Sequence, residues 1–344
     1  MVGGLAIGDF ELNIRSQMVK LSSVGMVRTD MLHKKEKVCK DLMEYFIETN
    51  RQKGVNILTL TPFRPDFYKQ MGFGYGSCLY NYRIPPMSFP NSGSKEFLSF
   101  IGQSEEQEVM DCYNRVWRKT HGAINGAWFL NVFRSGRRIL VYKSDGFIRG
   151  VLGFSSEKHR EMVIEDMFYE EPKVLQAFCT FLHFQFDEFD RIMFSAPDEH
   201  FYYLLHDPTN GMAKNENCTS VINNMFRVID VAGLFDELHN VNFNNQTAVL
   251  EIAIRDTFYP QNSGVTVVEF TNGKASVCTR QIPEVNVNLK IRLDISDFSS
   301  LIMGSINVKT LYRLGLLEIS DTGSLDMLES IFTIGQKPLS VGGL

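Results

Sequence analysis

The chain has 344 residues, which is longer than a single hydrophobic core usually grows, so we expect more than one domain. Its hydrophobic fraction of 44% and charged fraction of 22% are typical of a folded globular protein and argue against a disordered chain. The net charge of -5 and the pI near 5.9 provide no general attraction to phosphate backbones, so we expect no nucleic-acid partner.

Three further features bear on compartment, membrane and metal. The six cysteines are scattered and form no CxxC or Cys/His cluster, which argues against a zinc site. The N-terminus lacks the pattern of a signal peptide, and no stretch approaches the roughly 20 apolar residues of a membrane span. We therefore expect a cytoplasmic protein with no membrane partner and no bound metal.

The first segment of the chain ends near residue 82 and alternates strand and helix patterns. Its predicted elements are strands at residues 2–7 and 18–29, a basic loop at 33–37, a helix at 38–50, a strand at 55–61 and a short helix within 62–70. This order predicts an α/β unit.

The second segment follows a stretch rich in Pro, Ser and Gly at residues 84–95, which we predict to be a linker. Its predicted elements are a helix at residues 105–120, strands at 138–142 and 148–155, and a helix at 173–186. This segment is also α/β, and the two could share a fold, although no repeat of identical residues is visible.

The third segment follows a Pro, Asn and Gly cluster at residues 207–217. Its predicted elements are strands at residues 248–255, 265–270 and 288–295 and helices at 297–304, 308–314 and 325–332. The fold class expected for the whole chain is therefore α/β and α+β multidomain, with domains at residues 1–85, 86–222 and 223–344.

The basic loop at the start of the first helix is the first candidate site. Backbone N–H groups at a helix start attract anions, and Lys34, Lys35 and Lys37 would add positive charge for a pyrophosphate. Taken alone, the pattern favours a solvated basic helix start over an anion site, because basic loops are common.

Four sequence runs carry a resemblance to a known family. They are VGMVRTDMLHKKEKVCKDLM from residue 24, LTPFRPDFYKQMGFGYG from residue 60, SAPDEHFYYLLHDPTNG from residue 195 and MFRVIDVAGLFDEL from residue 225. The chain resembles the GNAT N-acetyltransferases, in the branch of the enhanced-intracellular-survival (Eis) acetyltransferases. The resemblance implies a GNAT domain, a second GNAT-like domain without a cofactor motif, and a C-terminal sterol-carrier-protein-like domain.

The resemblance also implies acetyl-CoA as co-substrate, held by the strand, loop and helix of the first segment. The family motif is Arg or Gln, two residues, Gly, one residue, then Gly or Ala. Here this register begins at Lys34, so Lys37 stands in place of the glycine and Cys39 in place of the small residue. The implied cofactor-binding residues are Val27, Thr29, Lys34, Lys35, Lys37, Val38 and Cys39.

Two catalytic residues are implied by the resemblance. Tyr68 would protonate the departing CoA thiolate, because a phenol with a pKa near 10 is protonated at neutral pH. The alternative is that Tyr68 only packs the short helix. The terminal carboxylate of Leu344 would be the base for the amine, whereas a Gly-rich terminus taken alone is more often frayed.

The expected activity is transfer of an acetyl group to a primary amine of a small polyamine or aminoglycoside-like acceptor, in a homo-oligomer. The alternative is a catalytically degenerate GNAT scaffold with a binding or assembly role. Lys37 and Cys39 favour the alternative. So does the N-terminus, which we expect to be short, because Met1 enters at about the second strand of a complete GNAT domain.

Overall fold

A computed structural model of the protein describes residues 2–102, 104–126, 133, 136–157, 160–209, 218–278 and 287–339. The chain divides into two compact units. The first unit combines the chain up to Ser77 with the chain from Asn224 to Pro338, and the second begins at Cys78 and ends at Asn223, with Leu339 added.

The strands and helices are numbered in chain order. Up to Ser77 they are β1 (Gly3–Ile14), β2 (Gln17–Thr29), α1 (Val38–Gln52), β3 (Ile57–Leu60), α2 (Pro65–Lys69) and β4 (Gly74–Tyr75). From Cys78 to Asn223 they are β5 (Cys78–Ile84), β6 (Leu98–Phe100), α3 (Glu106–Trp117), β7 (Arg138–Ser144), β8 (Phe147–Glu157), β9 (Glu161–Tyr169), α4 (Pro172–His183), β10 (Arg191–Ala196) and β11 (Cys218–Ile222). From Asn224 onward they are β12 (Met225–Val228), α5 (Val231–Glu237), β13 (Ala248–Arg255), β14 (Gly264–Thr271), β15 (Lys274–Val277), β16 (Leu289–Asp294), α6 (Ile295–Ile302), α7 (Val308–Arg313), β17 (Leu317–Ile319) and α8 (Leu325–Phe332).

The first sheet of the first unit has the strand order β1-β2-β3-β12-β4. β1 and β2 form an antiparallel hairpin, and β2 pairs in parallel with β3 through the crossover helix α1. Helix α1 buries Met43, Phe46, Ile47 and Asn50, a helical spacing that turns one face toward β1 and β2. β12 completes the sheet between β3 and β4, although it follows them by about 150 residues in the chain.

The second sheet of the first unit has the strand order β15-β14-β13-β16-β17. Helix α6 contacts β12 and β4 of the first sheet as well as β13 and β16 of the second. All eight residues of α6 are buried, as expected for a helix that lies between two layers. The aromatic rings of Phe235, Phe243, Phe270 and Phe298 form a contiguous cluster beside the second sheet.

The second unit is built on a seven-stranded sheet with the order β11-β5-β10-β9-β8-β7-β6. β9 and β10 are parallel neighbours joined by α4, whose Val174, Phe178 and Leu182 are completely buried. The stretch at residues 84–95 was expected to be a linker, and this expectation is wrong. Phe89 within it is fully buried in the core of this unit, because its ring packs against Phe194.

The expected mixed fold class is confirmed by the sheets and helices of the described residues. The strongest periodic patterns match observed elements, among them α1, α4 and β13. Sequence reasoning missed β5, β9, β10 and β12, and the division into three domains stays a prediction. Within the described part of the chain, none of the helices is long and apolar enough to cross a membrane.

Candidate functional site

The candidate site begins where β2 and β3 separate. The two strands pair only from Leu21 to Ser23, opposite residues 57–59. β2 then continues to Thr29, whereas β3 ends at Leu60. The last part of β2, which carries the implied cofactor-binding residues Val27 and Thr29, therefore lies beyond the stretch that pairs with β3.

A bulge distorts the same end of β2. The pairing register between β1 and β2 shifts between Gly4 and Ala6, and Met26 adopts a positive φ of 51°. Val27 and Thr29 are half-buried, and Thr29 borders an open groove of about 550 Å³ that Arg28 and Met31 also line. The strand that carries the implied cofactor-binding residues is thus irregular and accessible at that point.

The loop between β2 and α1 contains two non-glycine residues whose backbone is in the left-handed region. Lys35 has a φ of 70° and Lys37 a φ of 65°, a backbone conformation that costs a non-glycine residue roughly 1–2 kcal/mol. The resemblance implies glycine at the position of Lys37, and the left-handed φ of Lys37 is one that glycine adopts without strain. The lysine side chain is exposed.

The start of α1 has the electrostatic character of an anion site. Its N-cap residue, Lys37, makes no capping hydrogen bond through its side chain, and α1 has 15 residues. Lys34 and Lys35 are exposed beside it, and Val38 and Cys39 are half-buried in its first turn. Uncapped amides, a helix dipole and three cations together fit the diphosphate of a CoA ester.

One carboxylate lies within this basic loop. Glu36 accepts a hydrogen bond from His33 Nδ1 at 2.9 Å when the ring carries a proton there. The loop itself starts with a short 3-10 helix, Met31–His33, which Asp30 caps by accepting a hydrogen bond from the Leu32 amide at 2.8 Å. Glu36 therefore places one negative charge among the three lysines of the loop.

Tyr68 lies on α2, directly after β3. Its side chain is 4% exposed, and its ring meets those of Phe63, Phe67 and Phe73 edge-on at 5.7, 5.3 and 6.2 Å between centroids. Among the described residues, no hydrogen-bond partner of the Tyr68 hydroxyl is present. Aromatic packing therefore holds the ring while its hydroxyl is left available to a ligand.

Burial raises the pKa of Tyr68 above its ordinary value of 10.0, and the charge of an ionised Cys39 acts in the same direction. Burial also raises the pKa of the Cys39 thiol, so both groups are protonated at neutral pH. Tyr68 therefore carries the proton that the role implied by the resemblance requires.

Not every predicted residue can be placed. Leu344, whose carboxylate was the expected base, lies outside the described residues. Among the described residues, no group of His, Cys, Asp and Glu could hold a metal ion. His200 is the N-cap of a short 3-10 helix, Phe201–Leu204, and its amide donates to Asp198 Oδ1 at 2.8 Å, which agrees with a structural role for both residues.

Sequence reasoning missed the surroundings of the turn after α2. Gly72 has a φ of 80°, and the guanidinium of Arg227 on β12 lies directly against it and donates to the carbonyl oxygen of Met71. The two glycines of MGFG signal a tight turn. No local signal connects them with Arg227, because the contact spans 156 residues.

Three family models match the chain. An acetyltransferase (GNAT) domain matches residues 1–76, a second acetyltransferase (GNAT) domain matches residues 114–228, and a sterol carrier protein domain matches residues 236–340. No curated protein sequence matches the chain. The first GNAT model covers the strand, loop and helix of the candidate site together with Tyr68.

Several solved structures have the same fold. A GCN5-related N-acetyltransferase from Anabaena variabilis is 17% identical with a TM-score of 0.82, over 99% of this chain and 86% of that one. A probable N-acyltransferase from Enterococcus faecalis is 16% identical with a TM-score of 0.83, over 100% and 86% of the two chains. Eis1 from Mycobacterium abscessus is 15% identical with a TM-score of 0.79, over 100% and 88%.

At these identities, the structural likeness establishes the shared fold, whereas the family models identify the domains. GNAT domains generally transfer acyl groups and generally use acetyl-CoA. The chain thus joins two acetyltransferase (GNAT) domains to a sterol carrier protein domain, in an Eis-like fold.

Proposed function

We propose that the protein transfers the acetyl group of acetyl-CoA to a primary amine of a small polyamine or aminoglycoside-like acceptor. The observation that carries this proposal is the start of α1, where no side chain caps the helix and three lysines are exposed, within a domain that matches a GNAT model. Such a helix start can hold a diphosphate, and Tyr68, which aromatic packing holds on α2, can supply the proton for the leaving thiolate.

In this proposal, each part of the first GNAT domain has one role. The amides at the start of α1, with Lys34, Lys35 and Lys37, hold the diphosphate. Amides of β2 around Val27 and Thr29 polarise the thioester carbonyl, which acetyl-CoA supplies when bound. Tyr68 then donates its proton to the sulfur as the carbon–sulfur bond breaks, because its raised pKa keeps the phenol protonated at neutral pH.

The acceptor must reach the site as a cation and react as a neutral amine. A protein with a net charge of -5 collects polycations by long-range attraction, which supports a polyamine or an aminoglycoside as the acceptor. The amine must lose a proton before it attacks, and the terminal carboxylate of Leu344 remains our proposed base.

A second candidate function is a binding or assembly role on a degenerate GNAT scaffold. One structural observation favours it, namely that Lys37 holds a side chain at a left-handed position where the family has glycine. Cys39, with its larger side chain, occupies the next position at which the family uses Gly or Ala. If these side chains obstruct the diphosphate, the fold persists without the activity.

Calorimetry with acetyl-CoA, followed by thiol release with a panel of amines, decides between the two functions. We expect micromolar acetyl-CoA binding and thiol release that depends on a polyamine or an aminoglycoside. The Tyr68→Phe variant is the control, since it should bind acetyl-CoA and release thiol slowly. Binding without amine-dependent release would support the degenerate scaffold, and absence of binding would remove the proposed activity altogether.

A further inference from the structure

The helix that carries Tyr68 is too short to hold its own position. α2 has five residues, and a helix of this length has no appreciable stability in isolation. The Tyr68 carbonyl accepts hydrogen bonds from the amides of Met71 at 3.0 Å and Phe73 at 3.1 Å. The position of Tyr68 therefore depends on what holds the turn at residues 70–73.

A buried guanidinium holds that turn. Arg227 is completely buried on β12, and its Nη1 donates to the carbonyl oxygen of Met71. A Cβ atom on Gly72 would lie 1.5 Å from the same nitrogen, so the guanidinium occupies the space that glycine leaves. Gly72 has a φ of 80°, which a side chain would also oppose.

The second arm of the guanidinium is anchored in the C-terminal segment. Arg227 Nη2 donates to Asp256 Oδ2 at 2.6 Å, and both side chains are fully buried. Asp256 in turn accepts from the Tyr259 amide at 2.9 Å and from Asn262 Nδ2 at 3.1 Å. A planar guanidinium can bridge a carbonyl and a carboxylate in one fixed geometry, and a lysine ammonium cannot.

The outer face of α2 also forms an ion pair with the C-terminal segment. Lys69 Nζ lies 2.9 Å from Asp297 Oδ1 on α6, and the ammonium also lies 4.8 Å from the centre of the Tyr75 ring. A Cβ atom on Gly74 would lie 2.0 Å from the Ser296 carbonyl oxygen, so the strand after the turn packs directly on α6. Asp256 and Asp297 both fall within the residues that match the sterol carrier protein model.

We propose that Arg227 is a positioning residue for acetyl transfer, which fixes Tyr68 through the Met71–Gly72 turn and uses Asp256 as its anchor. The sterol carrier protein domain thereby supplies part of the support for the acid of the first GNAT domain. This inference rests on the proposed function of Tyr68, but the position of Tyr68 can be measured without any turnover.

The kinetic test is a double-mutant cycle with Arg227→Lys and Tyr68→Phe. We expect Arg227→Lys to lower kcat about tenfold while the affinity for acetyl-CoA stays within twofold, because the substrate does not touch Arg227. In the Tyr68→Phe background the same change should have almost no further effect on kcat, since no hydroxyl remains to be positioned. If the double variant shows the product of the two single reductions in kcat, the two residues act independently and the proposal is overturned.

The spectroscopic test follows Tyr68 by NMR with tyrosine labelled at the Cζ carbon, assigned by the Tyr68→Phe variant. We expect Arg227→Lys to shift the Tyr68 resonance and to bring its pKa back toward 10, because the ring becomes more exposed. An unchanged resonance and titration would overturn the proposal. If the wild-type protein releases no thiol, the proposed function fails, and this measurement still decides the positioning role.

Two further variants keep the proposal testable if Arg227→Lys does not fold. Lys69→Gln removes the partly exposed tie to Asp297, and we expect the same pattern at a smaller size, about threefold in kcat. Arg292→Gln is the matched control, because Arg292 is exposed and pairs with Glu318 of β17 at 3.7 Å. Should Arg227→Lys not fold, Lys69→Gln carries both tests, and a Lys69→Gln protein identical to Arg292→Gln would overturn the proposal.

Discussion

The two GNAT domains contain the same strand–helix–strand unit, but the connection before the helix is basic in the first domain and acidic in the second. In the first, β2, α1 and β3 follow one another, and in the second β9, α4 and β10 do so, with parallel pairing of the two strands in both. The helix starts are also packed alike. A Cβ atom on Gly3 would lie 2.7 Å from Val38 on α1, and one on Gly150 would lie 2.4 Å from Val174 on α4.

The connection between strand and helix differs between the two units. In the first it comprises residues 30–37 and includes three exposed lysines, whereas in the second it is only Glu170 and Glu171, followed by a proline. Glu170 is held by Arg115 at 2.8 Å and by Arg149 at 3.4 Å. The short acidic connection lacks the three lysines of the first loop, so we expect the two units to differ in their affinity for a diphosphate.

The largest expected effect is on turnover, which should depend on a tyrosine hydroxyl of the first domain and not on one of the second unit. Tyr68→Phe should lower turnover on the order of 10²-fold, because it removes the acid and keeps the ring that packs against Phe63 and Phe73. Thiol-release kinetics measure the turnover, and calorimetry should give unchanged acetyl-CoA binding. Tyr113→Phe in the second unit removes a buried hydroxyl that donates to the Ile124 carbonyl at 3.0 Å, so turnover in this variant should stay normal. Equal turnover in Tyr68→Phe and the wild type would make Tyr68 structural.

The next effect is on acetyl-CoA affinity, when a substitution makes the charge of the first loop more like that of the second. Lys34→Glu should weaken acetyl-CoA binding about tenfold, roughly 1.4 kcal/mol, by placing a carboxylate beside the diphosphate site. Lys119→Glu in the second domain makes the same change in net charge at an exposed position, and calorimetry should show no effect. Added salt should reduce the difference in acetyl-CoA affinity between the two variants, since the charges are exposed. Equal affinities at low salt would exclude a role for Lys34.

A smaller effect concerns the left-handed backbone of the loop. Lys37→Gly should tighten acetyl-CoA binding roughly three- to fivefold and raise the free energy of unfolding by about 0.5–1 kcal/mol, because glycine tolerates the φ of 65°. Lys34→Gly is the contrasting variant, since Lys34 has a φ of -64° and glycine there should lower the free energy of unfolding and weaken acetyl-CoA binding by removing a cation. Calorimetry and chemical denaturation measure the two quantities. Weaker binding by Lys37→Gly than by the wild type would refute the idea that Lys37 obstructs the cradle.

The smallest expected effect is an absence of change with pH. Because the folded pKa of Tyr68 is raised above 10.0, the acid stays protonated and its contribution is lost only as the pH rises through that raised value. At saturating amine, thiol release should not fall between pH 8 and 10, and it should fall above that range. The residual rate of Tyr68→Phe should lack this alkaline limb. A limb centred below pH 9 in the wild type would identify a different acid.

Local patterns predicted the parts of the candidate site that are local. The apolar spacing of α1, the strand before it and the basic loop are all contained within residues 18–52, so periodicity and composition were sufficient to place them. Tyr68 follows β3 closely and was assigned a role by resemblance alone. The left-handed φ of Lys37 was not predictable from its residue type, because lysine rarely adopts it.

The sequence by itself determined the mixed α/β character, the order of the main elements and the charge of the loop, because these follow from neighbouring residues. Only the tertiary structure decided that β12 completes the first sheet and that Phe89 belongs to a core rather than a linker. It alone placed Arg227 between Met71 and Asp256. Each of these depends on pairing or packing between residues far apart in the chain, and such contacts leave no mark on the local pattern of polar and apolar side chains.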